Sequence, residues 1–299
     1  MSSNELHWGI DLGGTKIEGA VLDHDLNELF RDRIPTEGAG GYNHILGRIR
    51  SLVEKIERAT ESSPTRIGFG TPGTLDGETG LLRGSNTIHL NGHPLDADLH
   101  NLLGCEVSIE NDANCFALAE SRLGAAADLS GSGTVFGIIM GTGVGSGIVV
   151  NGQLVKGRNA IAGEWGHNFL DESGGECYCG RTGCVETVIS GPATEQYFKD
   201  LAGTHLSLAD INNAASEGQA HAVETINRLA RFFGRAVATV INILDPDVIV
   251  IGGGVGNIDA LYSQGIDEAR KHVFTPKLQT RILQPKLGDS AGVLGAALL

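Results

Sequence analysis

The chain predicts an α/β protein of two lobes, and three observations predict it. Its 299 residues, 41% of them hydrophobic, reach the length at which one hydrophobic core divides into two. Strand-like apolar runs alternate with helix-like apolar spacing along the chain. A glycine hairpin near the N-terminus also recurs: Gly137-Ile138-Ile139-Met140-Gly141-Thr142-Gly143 through Gly147-Ile148-Val149-Val150 can be laid, ungapped, over Gly9-Ile10-Asp11-Leu12-Gly13-Gly14-Thr15 through Gly19-Ala20-Val21-Leu22. The recurrence predicts related lobes, each presenting its turn to a shared cleft.

The opening reads as a strand (Trp8 to Leu12), a turn (Gly13-Gly14-Thr15-Lys16), a second strand (Ile17 to Leu22) and a third (Leu29 to Ile34). Tyr42 to Thr60 carries Ile45, Ile49, Leu52, Val53 and Ile56 at helical spacing. Arg66 to Gly70 returns to a strand before the turn Thr71-Pro72-Gly73, and a loop rich in Gly and Asn runs to about Gly92. Val107 to Glu110 predicts a strand, and Asn111-Asp112-Ala113-Asn114 opens a helix to Leu123. After the second hairpin, Ala222 to Leu244 has the apolar stripe of a long helix, closed by Asp245-Pro246-Asp247. Val248 to Ile251 is a buried-type strand running into Gly252-Gly253-Gly254, and Ala291 to Leu299 is a short apolar helix that folds back on the first lobe.

Charge excludes one class of partner. With 22 basic against 36 acidic residues the net charge is −14, whereas nucleic acid and acidic membranes call for a basic face. No apolar run of transmembrane length occurs, and the N-terminus lacks the basic and apolar regions of a secretory signal, so a cytoplasmic protein is expected. Gly is abundant, 44 residues without collagen periodicity, and points to tight turns and backbone that closely approaches a ligand. Of five cysteines, Cys105 and Cys115 stand alone as small buried hydrophobes. Cys177, Cys179 and Cys184 crowd together.

Three glycine turns follow strands: Gly13 to Lys16, Gly141 to Gly147 and Gly252 to Gly256. Their backbone N–H groups can approach phosphate oxygens, helped by Thr15 and Thr142, although ordinary hairpin turns would read the same way. Neither dinucleotide-binding nor P-loop spacing fits. An acidic protein that binds a nucleotide needs a divalent cation, and Asp11 suits ordering Mg²⁺ through water; the alternative is a carboxylate that caps a neighbouring turn. Asp112 sits at a strand-to-helix junction beside Asn111, where it could accept a proton from an attacking hydroxyl or simply cap the helix. His167 with Cys177, Cys179 and Cys184 makes a Cys₃His set of structural zinc type, against reactive thiols as the alternative. Glu164 and Glu186 flank these ligands, placed either to accept vicinal sugar hydroxyls or as ordinary solvated acids.

Gly9 to Lys16, Asn111-Asp112-Ala113-Asn114, Gly141-Thr142-Gly143 and the Glu164 to Glu186 segment, in this order, resemble the ROK family of sugar kinases along essentially the whole chain. The resemblance implies the actin-like ATPase (ribonuclease H-like) fold, with ATP and sugar in a central cleft. It implies Asp112 as general base, sugar contacts from Asn111, Asp112, Glu164, His167 and Glu186 with Gly73 and Asn86 as additions, and His167 serving both zinc and sugar. ATP would meet Asp11, Gly13, Gly14, Thr15, Lys16, Gly141, Thr142 and Gly143, with Gly253 and Gly254 at the adenosine. Relatives commonly form homodimers.

Within the family, Asn86-Thr87-Ile88-His89-Leu90-Asn91-Gly92, Glu164-Trp165-Gly166-His167-Asn168 and Cys177-Tyr178-Cys179-Gly180 look most like bacterial fructokinases with mannokinase activity. Asn111 to Leu118 looks equally like N-acetylglucosamine kinases. The expectation is therefore an ATP-dependent hexose kinase acting at O6 with Mg²⁺ and a structural zinc, fructose or mannose favoured. N-acetylglucosamine kinase or glucokinase is the alternative. The expected small lobe spans 1–112 plus 288–299 and the larger 113–287. Some family members are sugar-responsive repressors; these need a DNA-binding module ahead of the first strand, and few residues precede Gly9 here. A filament-type ATPase would have no use for carboxylates beside a zinc loop.

Overall fold

The computed structural model describes residues 6–299. Its contacts divide the chain into two units, one holding residues up to Gly124 with Lys156–Ala162 and Leu287–Leu299, the other Ala125–Val155 with Gly163–Lys286.

In the first unit, β1 (His7–Leu12) and β2 (Lys16–Leu22) form the expected hairpin, and β3 (Glu28–Pro35) extends it as an edge strand. Helix α1 (Tyr42–Thr60) buries Ile45, Ile49, Leu52, Val53 and Ile56 as one stripe. Each such side chain contributes about 1.5–3 kcal/mol of transfer free energy, which fixes the helix on the sheet. Then follow β4 (Arg66–Thr71), a small hairpin of β5 (Thr74–Leu75) and β6 (Leu82–Arg83), α2 (Leu95–Leu103), β7 (Glu106–Asn111) and α3 (Asp112–Arg122). The small hairpin and α2 lie where the sequence suggested only a loop or no element. The sheet order is β3-β2-β1-β4-β7, with β1, β4 and β7 parallel.

The second unit repeats this order. Strands β8 (Thr134–Met140), β9 (Val144–Val150) and β10 (Gln153–Leu154) form an antiparallel set. Helices α4 (Val185–Ile189), α5 (Gly191–Ala202), α6 (Leu208–Ser216) and α7 (Ala220–Leu244) follow, then β11 (Val248–Gly252), α8 (Ile266–Arg270) and β12 (Arg281–Leu283). The order β10-β9-β8-β11-β12, with β11 parallel to both β8 and β12, matches that of the first sheet. The hairpin likeness in the sequence therefore reflects a whole repeated sheet. One detail of the ungapped overlay is corrected: four residues separate the closing pair Leu12 and Ile17, but three separate Met140 and Val144. Along the ladder Gly9 faces Ala20 and Gly137 faces Gly147, so Gly147 corresponds to Ala20 and not to Gly19.

The boundary expected at residue 112 falls instead after Gly124, because α3 packs on the C-terminal helix α9 (Ala291–Ala297). That helix meets the sheet at backbone distance. A Cβ on Gly68 would sit 1.9 Å from the Ala296 carbonyl oxygen, and one on Gly295 would sit 1.8 Å from that of Cys115. Only glycine permits such an approach. Cys105 and Cys115 are buried as expected. No helix among the described residues is long and apolar enough to cross a membrane.

Candidate functional site

In the first unit, parallel pairing brings the expected residues to one sheet edge. Asp11, Gly70 and Glu110 share a row across β1, β4 and β7, with Thr71 and Asn111 paired one step beyond. The chain therefore leaves the sheet at neighbouring points as Gly13–Lys16, Pro72-Gly73 and Asp112, all at carboxyl ends of parallel strands, the usual seat of ligands in α/β sheets.

The first turn is closed by Gly13 N–H donating to the Lys16 carbonyl at 3.0 Å. Fully buried Thr36 holds it from outside, its hydroxyl donating to the Gly13 carbonyl at 2.7 Å and its N–H to that of Thr15 at 3.0 Å. Gly14 and Thr15 stay exposed, so their N–H groups can reach an anion. Lys16 lies 3.5 Å from Glu18, which is fully buried and also meets Arg33 at 3.2 Å and Arg31 at 3.7 Å. Glu18 and Thr36 were missed in the sequence, although a carboxylate inside the apolar run Ile17 to Leu22 already signals buried partners. Burial, then the charges of Asp112 and Glu18, push Asp11 up to about 6 against the opposing pull of Lys16.

Asn111 ends β7 and caps α3. Its Oδ1 accepts the Ala113 N–H at 2.9 Å, and its amide nitrogen donates to the Gly73 carbonyl at 3.4 Å. The cap is thus Asn111, which leaves Asp112 as the first helical residue. One Asp112 oxygen also accepts the Ala113 N–H, at 2.8 Å. Gly73 has φ 89°. Asn86 is exposed, on a loop that Asn91 closes by accepting the Ser85 N–H at 2.9 Å and donating to the Ser85 carbonyl at 2.8 Å. The structure thus gathers Asp11, Gly73, Asn111 and Asp112, and packs the loop that carries Asn86 against them: a Cβ on Gly73 would lie 2.8 Å from the Ser85 nitrogen and one on Gly14 3.3 Å from Thr87 Oγ1.

In the second unit, Gly141-Thr142-Gly143 links β8 to β9, closed by Gly141 N–H donating to the Gly143 carbonyl at 2.9 Å. Thr142 is exposed. Glu186, on α4, accepts the Val144 N–H at 2.9 Å just past this turn, a contact that spacing in the sequence does not reveal. Glu164 and His167 lie on one 3₁₀ turn, Glu164–His167, anchored where Ser146 donates to the Gly163 carbonyl and where buried Trp165 packs edge-on to Phe136. Gly253 follows β11 directly and lies against the Met140 backbone, while Gly254 faces open space.

Next to these residues lie the four candidate ligands. The imidazole of His167 and the sulfurs of Cys177, Cys179 and Cys184 all lie within 4.8 Å of one another. Cys177 Sγ is 3.5 Å from His167 Nδ1, and Cys179 Sγ is 3.6 Å from Cys184 Sγ. Zn–S bonds of about 2.3 Å in a tetrahedron put sulfurs roughly 3.8 Å apart, so the donor set and its spacing fit zinc. Tyr178 OH lies 2.9 Å from His167 Nε2, the nitrogen facing away from Cys177.

A repeated α/β sheet with a glycine turn after the first strand of each copy and a carboxylate at its edge defines a phosphotransferase-type protein of the actin-like ATPase fold. The chain belongs to the ROK family, whose model matches residues 7–299. It is 36% identical to the N-acetyl-D-glucosamine kinase of Aliivibrio fischeri over 98% of this chain and 99% of that one. Among solved structures it resembles the ROK hexokinase of Thermus thermophilus, with TM-score 0.89 and 31% identity over 98% of this chain and 97% of the other. It also resembles a ROK family glucokinase from Streptomyces griseus solved with glucose and AMPPNP, with TM-score 0.77 and 28% identity over 98% of both chains.

Proposed function

We propose that this protein transfers the γ-phosphoryl group of ATP to O6 of a hexose, N-acetyl-D-glucosamine being the preferred acceptor. The observation that carries the reaction is the placement of Asp112 beside Asn111 and Gly73 at the carboxyl edge of β1, β4 and β7. For the sugar, support comes from the Aliivibrio fischeri kinase, alike over nearly the whole of both chains, and from the local likeness of Asn111 to Leu118. These outweigh the fructose or mannose preference expected from Asn86 to Gly92, Glu164 to Asn168 and Cys177 to Gly180.

Asn111 holds the sugar's neighbourhood by its tie to Gly73, and Asp112 accepts the O6 proton. As O6 bonds to phosphorus, the bond from phosphorus to the β,γ-bridging oxygen breaks and ADP departs. The N–H groups of Gly14, Thr15, Thr142 and Gly143 serve the phosphates, and Gly253 and Gly254 the adenosine. Asp11 would order Mg²⁺ through water, and that ion supplies neutralisation of developing phosphate charge. Glu164 and Glu186 accept sugar hydroxyls, and the Nε2–H of His167, whose Nδ1 faces the sulfurs, donates to one. His167, Cys177, Cys179 and Cys184 would hold Zn²⁺, which supplies rigidity to this loop and no chemical step.

The test is a panel of N-acetylglucosamine, glucose, mannose and fructose at equal ATP, compared by kcat/KM. The amino sugar should lead. Fructose or mannose in first place would overturn the sugar assignment, and ADP release unaffected by any sugar would overturn the kinase reading itself.

A further inference from the structure

Arg228 lies in the middle of α7, 9% exposed, inside the apolar core of the second unit. One terminal nitrogen donates to the Val188 carbonyl in α4 at 3.1 Å, and the other to the Ser173 hydroxyl at 2.9 Å. The guanidinium carbon stands 4.4 Å from the centroid of the Tyr197 ring and 4.8 Å from that of Phe232. Burial lowers its pKa, partly offset by Tyr197 and Asp171. No carboxylate forms an ion pair with it within bonding distance among the described residues. A cation in such surroundings is costly, and a well-packed apolar side chain would fill the space at less expense in desolvation.

What the cation does in return is geometric. Ser173 precedes the first sulfur of the loop, Cys177, while Val188 follows the last, Cys184. The two arms of the fork therefore grip the segment on both sides of the ligands, as a planar guanidinium with divergent donors can and a lysine cannot. The same two arms already touch: a Cβ on Gly174 would lie 2.5 Å from Thr187 Oγ1. Between them, α4 carries Glu186 to the Val144 N–H.

We propose that Arg228 is a positioning residue that fixes the register of the Ser173 turn against α4, and thereby seats both the four-ligand cluster and the Glu186 carboxylate. The sugar arm of this inference rests on the reading of Glu186 as a sugar contact; the loop arm does not. The experiment compares wild type with Arg228→Met, Arg228→Lys and Ser173→Ala. It measures sugar KM and kcat, and the rate at which a chromogenic disulfide labels Cys177 and Cys184 after a chelator has stripped any metal. Supporting groups behind ligands typically change affinity or activity by 10–100-fold. Arg228→Met should accordingly raise sugar KM and thiol labelling by about 10-fold or more, with kcat and the KM for ATP within about 2-fold. Arg228→Lys should recover only part of the loss. Ser173→Ala, which leaves the core intact, should speed labelling in the same direction and keeps the test open if Arg228→Met does not fold. Lowered thermal stability with unchanged labelling and sugar KM would overturn the proposal and reduce Arg228 to core filling. Glu186→Gln separates the two readings: if it leaves sugar KM unchanged, the sugar role of Glu186 falls, and thiol labelling alone then decides for or against Arg228.

Discussion

A methyl group on Gly143 would lie 2.5 Å from Oε2 of Glu186, the oxygen that accepts the Val144 N–H at 2.9 Å. The glycine turn of the second unit and the carboxylate on α4 are thus fitted to each other. Because the obstructed atom is the end of a flexible side chain, Gly143→Ala should fold normally and displace the carboxylate. Losing one charge-assisted hydrogen bond costs about 1.5–3 kcal/mol, or roughly 10- to 100-fold. Sugar KM should rise by that order in steady-state kinetics, and an unchanged KM would remove Glu186 from sugar binding.

Asp112→Asn keeps the shape of the first helical turn and removes the proton acceptor. A positioned general base contributes about 10²–10⁴-fold. The variant should lose that much in kcat while calorimetry still detects sugar binding. Activity near wild type would assign the proton to another group.

Asp11 carries the pH dependence. Its pKa is raised to about 6 in the folded protein from 3.8, so between these values the native state holds a proton that the unfolded chain has released. Stability from this group therefore falls as pH rises through that window, by about 3 kcal/mol at most. Asp11→Asn should gain stability relative to wild type between about pH 4 and pH 7 in urea titrations. Phosphoryl transfer should fall away below about pH 6 as Asp11 protonates. A stability difference independent of pH would show that Asp11 is not the perturbed group. In Asp112→Asn the Mg-ATP binding limb should move to lower pH, because one of the charges that raise Asp11 is gone.

Cys179 is the exposed member of the sulfur cluster. Cys179→Ser, or treatment with a strong chelator, should release about one zinc per chain and raise sugar KM with a smaller effect on the KM for ATP. Metal analysis and paired kinetics check both parts. A chain that purifies without zinc, binds none and shows normal sugar KM would refute the metal reading.

How much the sequence disclosed depended on how local each signal was. The strand-turn-strand of Gly9 to Leu22, the stripe of α1 and the long stripe of α7 were legible because every determinant lies within one window. The four zinc-type ligands were legible for the same reason. Helix α2 went unread: only Leu95 and Leu99 are buried in its nine residues, a pattern too brief to separate from loop. Helices α5 and α6 carry Ser190 and Ser207 as side-chain caps, signals present in the sequence and passed over. Edge strand β12 is three residues long and owes its existence to pairing with β11. At the site, the residues proposed to act were read from the sequence, while those that orient them were not. Thr36 and Arg228 reach their partners across long stretches of chain, so no window of sequence contains both ends of such a contact, whereas Glu18 meets Lys16, Arg31 and Arg33 within neighbouring strands and was passed over.

The seating of α9 against β1, β4 and α3 has a consequence for biosynthesis. Residues 291–297 leave the ribosome after all of Gly163–Lys286 has been made, so the first sheet waits, with the glycine-lined face of Gly9 and Gly68 uncovered, while its neighbour can fold on the nascent chain. Vectorial synthesis thus closes the unit that opens with β1 only after the unit that holds Gly163–Lys286 has been made.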